Sequence, residues 1–406
     1  MTRTPVTTAP LTPEDLRTLA GLEITTTRRE LAEALATVGT AIAKRPAIPV
    51  LAGVHLEGHQ DGTLTLTGFD YDTAITVTLE QAVTNPGRCL LNHAELVGML
   101  AATAKGTPKK KADTAHVTVA HNSGKPTVTV DGYTLPLTDL PREDYPLPDM
   151  AVPPTLTVDA ARFVSEVARV VPAAGGADAL PVFANVHLVT DWSGLTMTAT
   201  DGYRAARAKI PGAHIPEQGI RAGQALVEAA LLRKLVKHLP SGTLTVGVHE
   251  DRVMLSSGPV TVVTRTSDQE VIAVDKVVPE SAPMAVTVDR QKLAAAIVKA
   301  TNILGASAEG RGMSLSVIVS PDTVAVAPKI ERVIAPTFPA DTTGVGEGLA
   351  VHFNPKFLAE AVGAFAAEDT VALHLTASDK IVMITAGGEG MGSAPYWHML
   401  QPVRVH

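Results

Sequence analysis

Aromatic residues make up only 3% of this 406-residue chain. Large flat side chains therefore cannot dominate its cores, which must be built from Val, Leu, Ala and Ile. There is one cysteine, Cys89, which excludes an internal disulfide and a cysteine-rich zinc site. In the run GRCLL it reads as a small buried hydrophobe. No apolar run reaches the ~18 residues of a membrane-crossing helix. The opening residues, MTRTPVTTAPLTPEDLRTL, lack the apolar centre of a secretory signal, so a cytoplasmic protein is expected. A basic excess is missing too. The net charge is −7, which taken as an average argues against nucleic acid but can hide a local basic surface.

Catalytic signatures are equally scarce. The glycine clusters GVGEGLA (344–350) and GGEGMG (387–392) carry no Lys-Ser/Thr of a phosphate loop and read as turns. The 13 histidines include no HExxH and no paired ligand spacing, and no nucleophile-elbow motif occurs. Asp70 and Asp201 read as turn-forming aspartates rather than as a catalytic carboxylate pair. The chain is expected to have no active site, cofactor or metal.

What is present is enough to fold. Hydrophobic residues reach 45% against 18% charged, and the length suits two to four domains at roughly 100–200 residues each. A long internal repeat organises it. Residues 48–57 read IPVLAGVHLE and residues 180–189 read LPVFANVHLV. Each is followed by a turn and an alternating strand, LTLTGFDYDTAI from Leu64 and LTMTATDGYRAA from Leu195, so Asp70 and Asp201 match 131 residues apart. Amphipathic segments precede both, at residues 25–45 and 157–171, and a third begins at Thr287, placing Leu31, Phe163 and Leu293 in register.

A second helical pattern follows in each unit, from Asn92, Val227 and Asn354, with Asn92 and Asn354 as N-caps and Pro355 in the first turn. In the third, diverged copy MSLSVIVSPDTVAVA stands where the paired strands belong. The expectation is an α+β chain of three similar domains, each with two helices packed on antiparallel sheets: residues 22–145, 155–272 and 283–406. Residues 1–21 form an N-terminal extension with no counterpart in the other units.

Charge is distributed unevenly over this frame. The helical segments 28–45, 92–111, 227–238 and 289–302 carry more basic than acidic residues, and 159–171 is balanced. Only the last, with Glu360, Glu368 and Asp369, is acidic. Arg162 and Arg169, like Lys292 and Lys299, are seven residues apart and share a helical face; Arg233 and Lys237 are four apart. Ordinary solvated faces would explain any one helix. Together they fit helices turned towards a polyanion in an otherwise acidic protein. With no helix-turn-helix, zinc finger or RNA-binding aromatic strand, such contact would be to phosphates and independent of sequence.

The three units, RPAIPVLAGVHLE, ATDGYRAA, LPREDYPLP at the first joint and HMLQPVRV at the C-terminus together resemble the bacterial DNA polymerase III beta subunit, the sliding clamp family, over residues 22–406. The resemblance implies a head-to-tail ring of two chains around double-stranded DNA. It implies a processivity factor working in the cytoplasm at the nucleoid, whose partners are the polymerase III catalytic subunit, the clamp loader, and repair proteins that insert a short linear motif into one pocket per chain. Carried over by motif, that pocket comprises Phe183, Thr200, Gly202, Tyr203, Arg204, Ala205, Ile272, Val277, Met399, Pro402, Val403 and Arg404. DNA-facing residues would be Lys44, Arg45, Arg169, Lys237 and Lys299. The dimer seam would be Leu135 and Leu137 against Ile303 and Leu304.

Three departures stand out. The aromatic-proline-aspartate-tyrosine run of the family's second joint is replaced by SDQEVIAVDKVVP. Tyr203 and Ala205 occupy positions where His and Leu are common. The family's acidic seam cluster is nearly gone, KIERVI keeping Glu331, and the matching basic residues are largely absent around VTVDGYTL. An alternative within the same fold is an adaptor that binds partner peptides without encircling DNA.

Overall fold

A computed structural model describes residues 21–122, 125–176, 178–214, 222–307 and 313–404. The expected N-terminal extension lies, Gly21 apart, outside them. The architecture is α+β. Helices are α1 (Arg28–Val38), α2 (His93–Ala104), α3 (Lys109–Asp113), α4 (Ala160–Val170), α5 (Ala229–Leu235), α6 (Arg290–Ala306) and α7 (Pro355–Gly363), and the remaining elements are antiparallel strands and short 3-10 turns. No helix among the described residues is long and apolar enough to cross a membrane.

The first helix of each repeat starts later than its amphipathic pattern suggests. TTT, TVD and TVD close the strands Leu22–Thr27, Leu156–Asp159 and Met284–Asp289 instead. These β-branched residues suit a pleated surface, and the last residue of each strand doubles as the N-cap. Thr27 forms a capping box with Glu30; Asp159 accepts from the Arg162 N–H at 2.7 Å and Asp289 from the Lys292 N–H at 2.8 Å. The inward stripes are largely apolar: Leu31, Leu35 and Val38 on α1, Phe163, Val167 and Val170 on α4, Leu293 and Ile297 on α6; Arg28 and Glu166 are buried as well. Each such apolar side chain contributes about 1.5–3 kcal/mol of burial. Lys109–Lys111 form the start of a separate short helix, α3.

Two compact units result, Met1–Pro154 with Lys237–Arg265, and Thr155–Val236 with Thr266–His406. Neither coincides with a sequence repeat, because strands of successive repeats pair. In the first unit Val260–Arg265 of the second repeat lies antiparallel to Thr73–Leu79 of the first, with Val262 opposite Ile75. In the second unit Tyr396–Leu400 of the third repeat lies antiparallel to Arg204–Pro211 of the second, with Met399 opposite Ala205. The diverged third copy keeps its hairpin as Leu315–Ser320 and Thr323–Pro328.

Candidate functional site

The corner between strands Gly194–Thr200 and Arg204–Pro211 is built by Asp201. Its Oδ1 accepts from the Tyr203 and Arg204 N–H groups, both at 3.0 Å, and its own N–H donates to the Arg204 carbonyl at 3.3 Å. Gly202 sits at φ +87°, a conformation that few side chains tolerate. Asp70 builds the same corner in the first repeat: Oδ1 accepts from the Asp72 and Thr73 N–H groups at 3.1 and 2.7 Å. There Tyr71 takes the glycine's place at φ +80°. Both aspartates are turn formers.

The two corners differ in the residue that opens the outgoing strand. Thr73 hydrogen-bonds Thr264 at 3.0 Å. Arg204, only 5% exposed, donates from Nε to Asp201 Oδ2 at 2.9 Å and from Nη1 to Glu360 of α7, with its guanidinium 4.2 Å from the Phe357 ring centre. The corner is thereby bolted to α7. Gln401 adds a backbone bond, its N–H donating to the Tyr203 carbonyl at 2.8 Å.

Beside this corner opens a cleft of about 340 Å³, lined by Phe183, Thr200, Gly202, Tyr203, Arg204, Ala205, Ile272, Ala273, Val274, Val277, Ile381, Met399 and Gln401. The structure thus brings together nine of the twelve residues expected there. Pro402, Val403 and Arg404 are not among the lining. The Val403 N–H donates to the His352 carbonyl at 2.7 Å, which carries the chain past the cleft. Sequence reasoning missed Ala273, Val274, Ile381 and Gln401. Val274 is buried with Ala205, Met383, Trp397 and Met399, so the departed second joint still closes the cleft with an aliphatic plug. Tyr203 stands 67% exposed at the rim. An apolar floor with a few fixed polar groups suits a short peptide bearing aliphatic or aromatic anchors.

The expected DNA-facing cations fall into two kinds. Lys44, Arg45, Lys237 and Lys299 have exposed side chains. Arg169 is engaged within its own unit: it pairs with the buried Glu166 at 3.1 Å, and its guanidinium lies 3.7 Å from the Tyr396 ring centre. The Tyr396 hydroxyl donates to the Arg169 carbonyl at 3.0 Å, completing the joint. Of the expected seam residues, Ile303 is 45% exposed and Leu135 half-buried, whereas Leu137 and Leu304 are buried within the chain.

Burial governs the protonation of the interior groups. It pushes the Cys89 thiol well above its ordinary range and lowers the imidazoles of His55 and His398 to about 4 and about 3. Among the described residues no group of three or more His, Cys, Asp or Glu is placed to hold a metal ion.

Comparison with known proteins identifies the family and the fold. The sequence profile described as DNA polymerase III beta subunit, N-terminal domain, matches twice, over residues 22–149 and 155–275. The chain is 30% identical to the beta sliding clamp of Micrococcus luteus over 292 residues, 71% of this chain and 89% of that one. It is 27% identical to the beta sliding clamp of Streptomyces coelicolor over 402 residues, 95% of this chain and all of that one. Its fold matches the crystal structure of the Bacillus subtilis DNA polymerase sliding clamp with a TM-score of 0.81 at 19% identity, covering 95% of this chain and 100% of the other. The chain belongs to the DNA polymerase III beta subunit family, the sliding clamps.

Proposed function

We propose that this chain is a non-catalytic processivity factor: two copies close head to tail around duplex DNA, and the cleft of each holds a short peptide of the replicative polymerase, the clamp loader or a repair protein. The observation that carries the ring is the recurring strand junction. Repeat one is joined to repeat two, and repeat two to repeat three, by the same antiparallel pairing. Continuing the series needs an edge from repeat one and an edge from repeat three.

Repeat one offers a free strand edge, and repeat three an exposed segment just before strand Thr337–Thr343, itself paired with Met284–Asp289 and Thr323–Pro328. Tyr133–Pro136 ends the five-stranded sheet of the first repeat, with Tyr133 66% exposed. The chain entering strand Thr337–Thr343 carries Ile334, 97% exposed. Unpaired strand edges are templates for pairing, and a heterologous contact closes into a ring when its rotation allows. Tyr133, Ile334, Ile303 and Leu135 are the apolar contacts proposed for this seam, in place of the family's ion pairs. The domain limits 22–145, 155–272 and 283–406 are proposed as the three segments of each half-ring.

DNA held in this way is touched through phosphates alone. Lys44, Arg45, Lys237 and Lys299 are the cations proposed to face it, with no side chain reading bases. Tethering a partner through the cleft raises its local concentration at the template, so polymerase dissociation is replaced by sliding in the cytoplasm along nucleoid DNA.

Sedimentation and DNA retention test this directly. The expected species is a dimer of twice the 42.3 kDa chain. Once loaded, it should stay on nicked circular DNA through a high-salt wash and be lost when the circle is linearised, since a topological link does not depend on counterion release. A monomer retained on neither template would instead favour an adaptor that binds peptides without encircling DNA.

A further inference from the structure

The wall of the cleft formed by Ile272–Val278 is not a strand of any sheet. Its backbone hydrogen bonds among the described residues are local, Val274 N–H to the Ile272 carbonyl at 2.8 Å and Lys276 N–H to the Ala273 carbonyl at 3.1 Å. One 3-10 turn, Val274–Val277, shapes it. The segment lies on the sheet like a strap, with Val274 pressed against Ala205, Met383, Trp397 and Met399.

Apolar contact alone fixes where such a strap rests in one direction only. The run reads VIAVDKVV: a slip one way would bury Asp275 or Lys276 in place of Val274, but a slip the other way exchanges Val274 for Ala273 or Ile272 at little loss. The charges are different. Arg207, 17% exposed, is held in advance: it stands in a cross-strand row between Thr198 and Trp397, donates from Nε to Thr198 Oγ1 at 3.1 Å, and lies 5.0 Å from the Trp397 ring centre. Its Nη1 meets Asp275 Oδ1 at 2.5 Å. A slip that brings Ala273 to the place of Val274 also brings Val274 to Arg207, and the attraction is lost.

We propose that Arg207 and Asp275 are positioning residues that set the register of the strap, so that Ile272, Val274 and Val277 present one defined wall to the bound peptide. The inference rests on the reading of the cleft as a peptide seat. It concerns the joint where this chain departs from its family's sequence pattern. Complementary charge supplies attraction in the right register and a penalty in the wrong one.

The test uses the full-length protein, a fluorescein-labelled hexapeptide with two leucines and a terminal phenylalanine, and amide hydrogen exchange across residues 270–280. Asp275→Asn is expected to weaken the peptide about fivefold, the upper range of an exposed ion pair, and to speed exchange in the strap. Asp275→Lys should do more of both. The exchanged pair, Asp275→Arg with Arg207→Asp, should recover most of the affinity and the protection. Unchanged strap exchange in Asp275→Asn and Asp275→Lys would overturn the proposal whatever the peptide does. So would a pair exchange that recovers nothing. If the wild-type protein fails to bind the hexapeptide, the cleft reading falls, while the exchange arm still decides whether this ion pair holds the strap.

Discussion

Arg204→Ala is expected to weaken peptide capture at least tenfold and to lower the stability of the chain by about 2–4 kcal/mol. One guanidinium serves Asp201, Glu360 and the Phe357 ring. Removing it leaves the Asp201 carboxylate, 12% exposed, without its cation, and cuts the corner loose from α7. Glu360 is 33% exposed and regains water, which keeps the cost below that of a fully buried pair. The corner contributes the rim and part of the floor of the cleft, so its loosening should reduce hexapeptide affinity at least tenfold, or about 1.4 kcal/mol. Arg204→Lys should fall between, because a single ammonium cannot fork to two carboxylates and lie flat on a ring. Urea unfolding and fluorescence polarisation measure the two effects. Wild-type values for both in the alanine variant would refute this account of the corner.

Acid should destabilise the protein well before its carboxylates titrate. His55 and His398 are buried as neutral imidazoles with values near 4 and 3, whereas an unfolded imidazole titrates near 6.5. Between those limits the unfolded chain binds protons that the folded chain refuses. No penalty exists above pH 6.5; it grows as the pH falls and levels off only below each folded value. At pH 4.5 the difference is about two units per histidine, roughly 2.7 kcal/mol each at most. Asp70 and Glu389, raised by burial, act in the opposite sense and soften the fall. Urea midpoints at pH 7.5 and 4.5 should therefore differ strongly, and His398→Phe should shrink the gap. An equal gap in wild type and variant would remove His398 from the explanation.

Much of the frame was legible because repetition leaves marks that survive divergence. The Asp70 and Asp201 corners, the Asn92 and Asn354 caps and the helical stripes through Leu31, Phe163 and Leu293 all stand as read. The features hidden from the sequence depend on distant partners. Val274 sits in an aliphatic run that looks like any linker, and its burial is decided by Met383 and Met399, more than a hundred residues later. Leu137 and Leu304 are apolar enough for a seam, but the same property serves the chain's own core, where the structure puts them. Arg169 has the spacing of a DNA contact, and Tyr396 and Glu166 engage it first. Residues 402–404 come soon after Met399, yet the backbone bond of Val403 directs them elsewhere.

The first corner repeats the shape of the second down to its left-handed residue, although Tyr71 lacks the freedom of Gly202. Such fidelity at a place with no Arg204 equivalent separates architecture from occupation. The bend serves as a generic bracket, and in the proposed reading only the second is furnished for a guest, with an arginine, an aliphatic floor and a neighbouring helix. On that reading, guest preference can change by side-chain substitution alone, leaving the bend itself untouched.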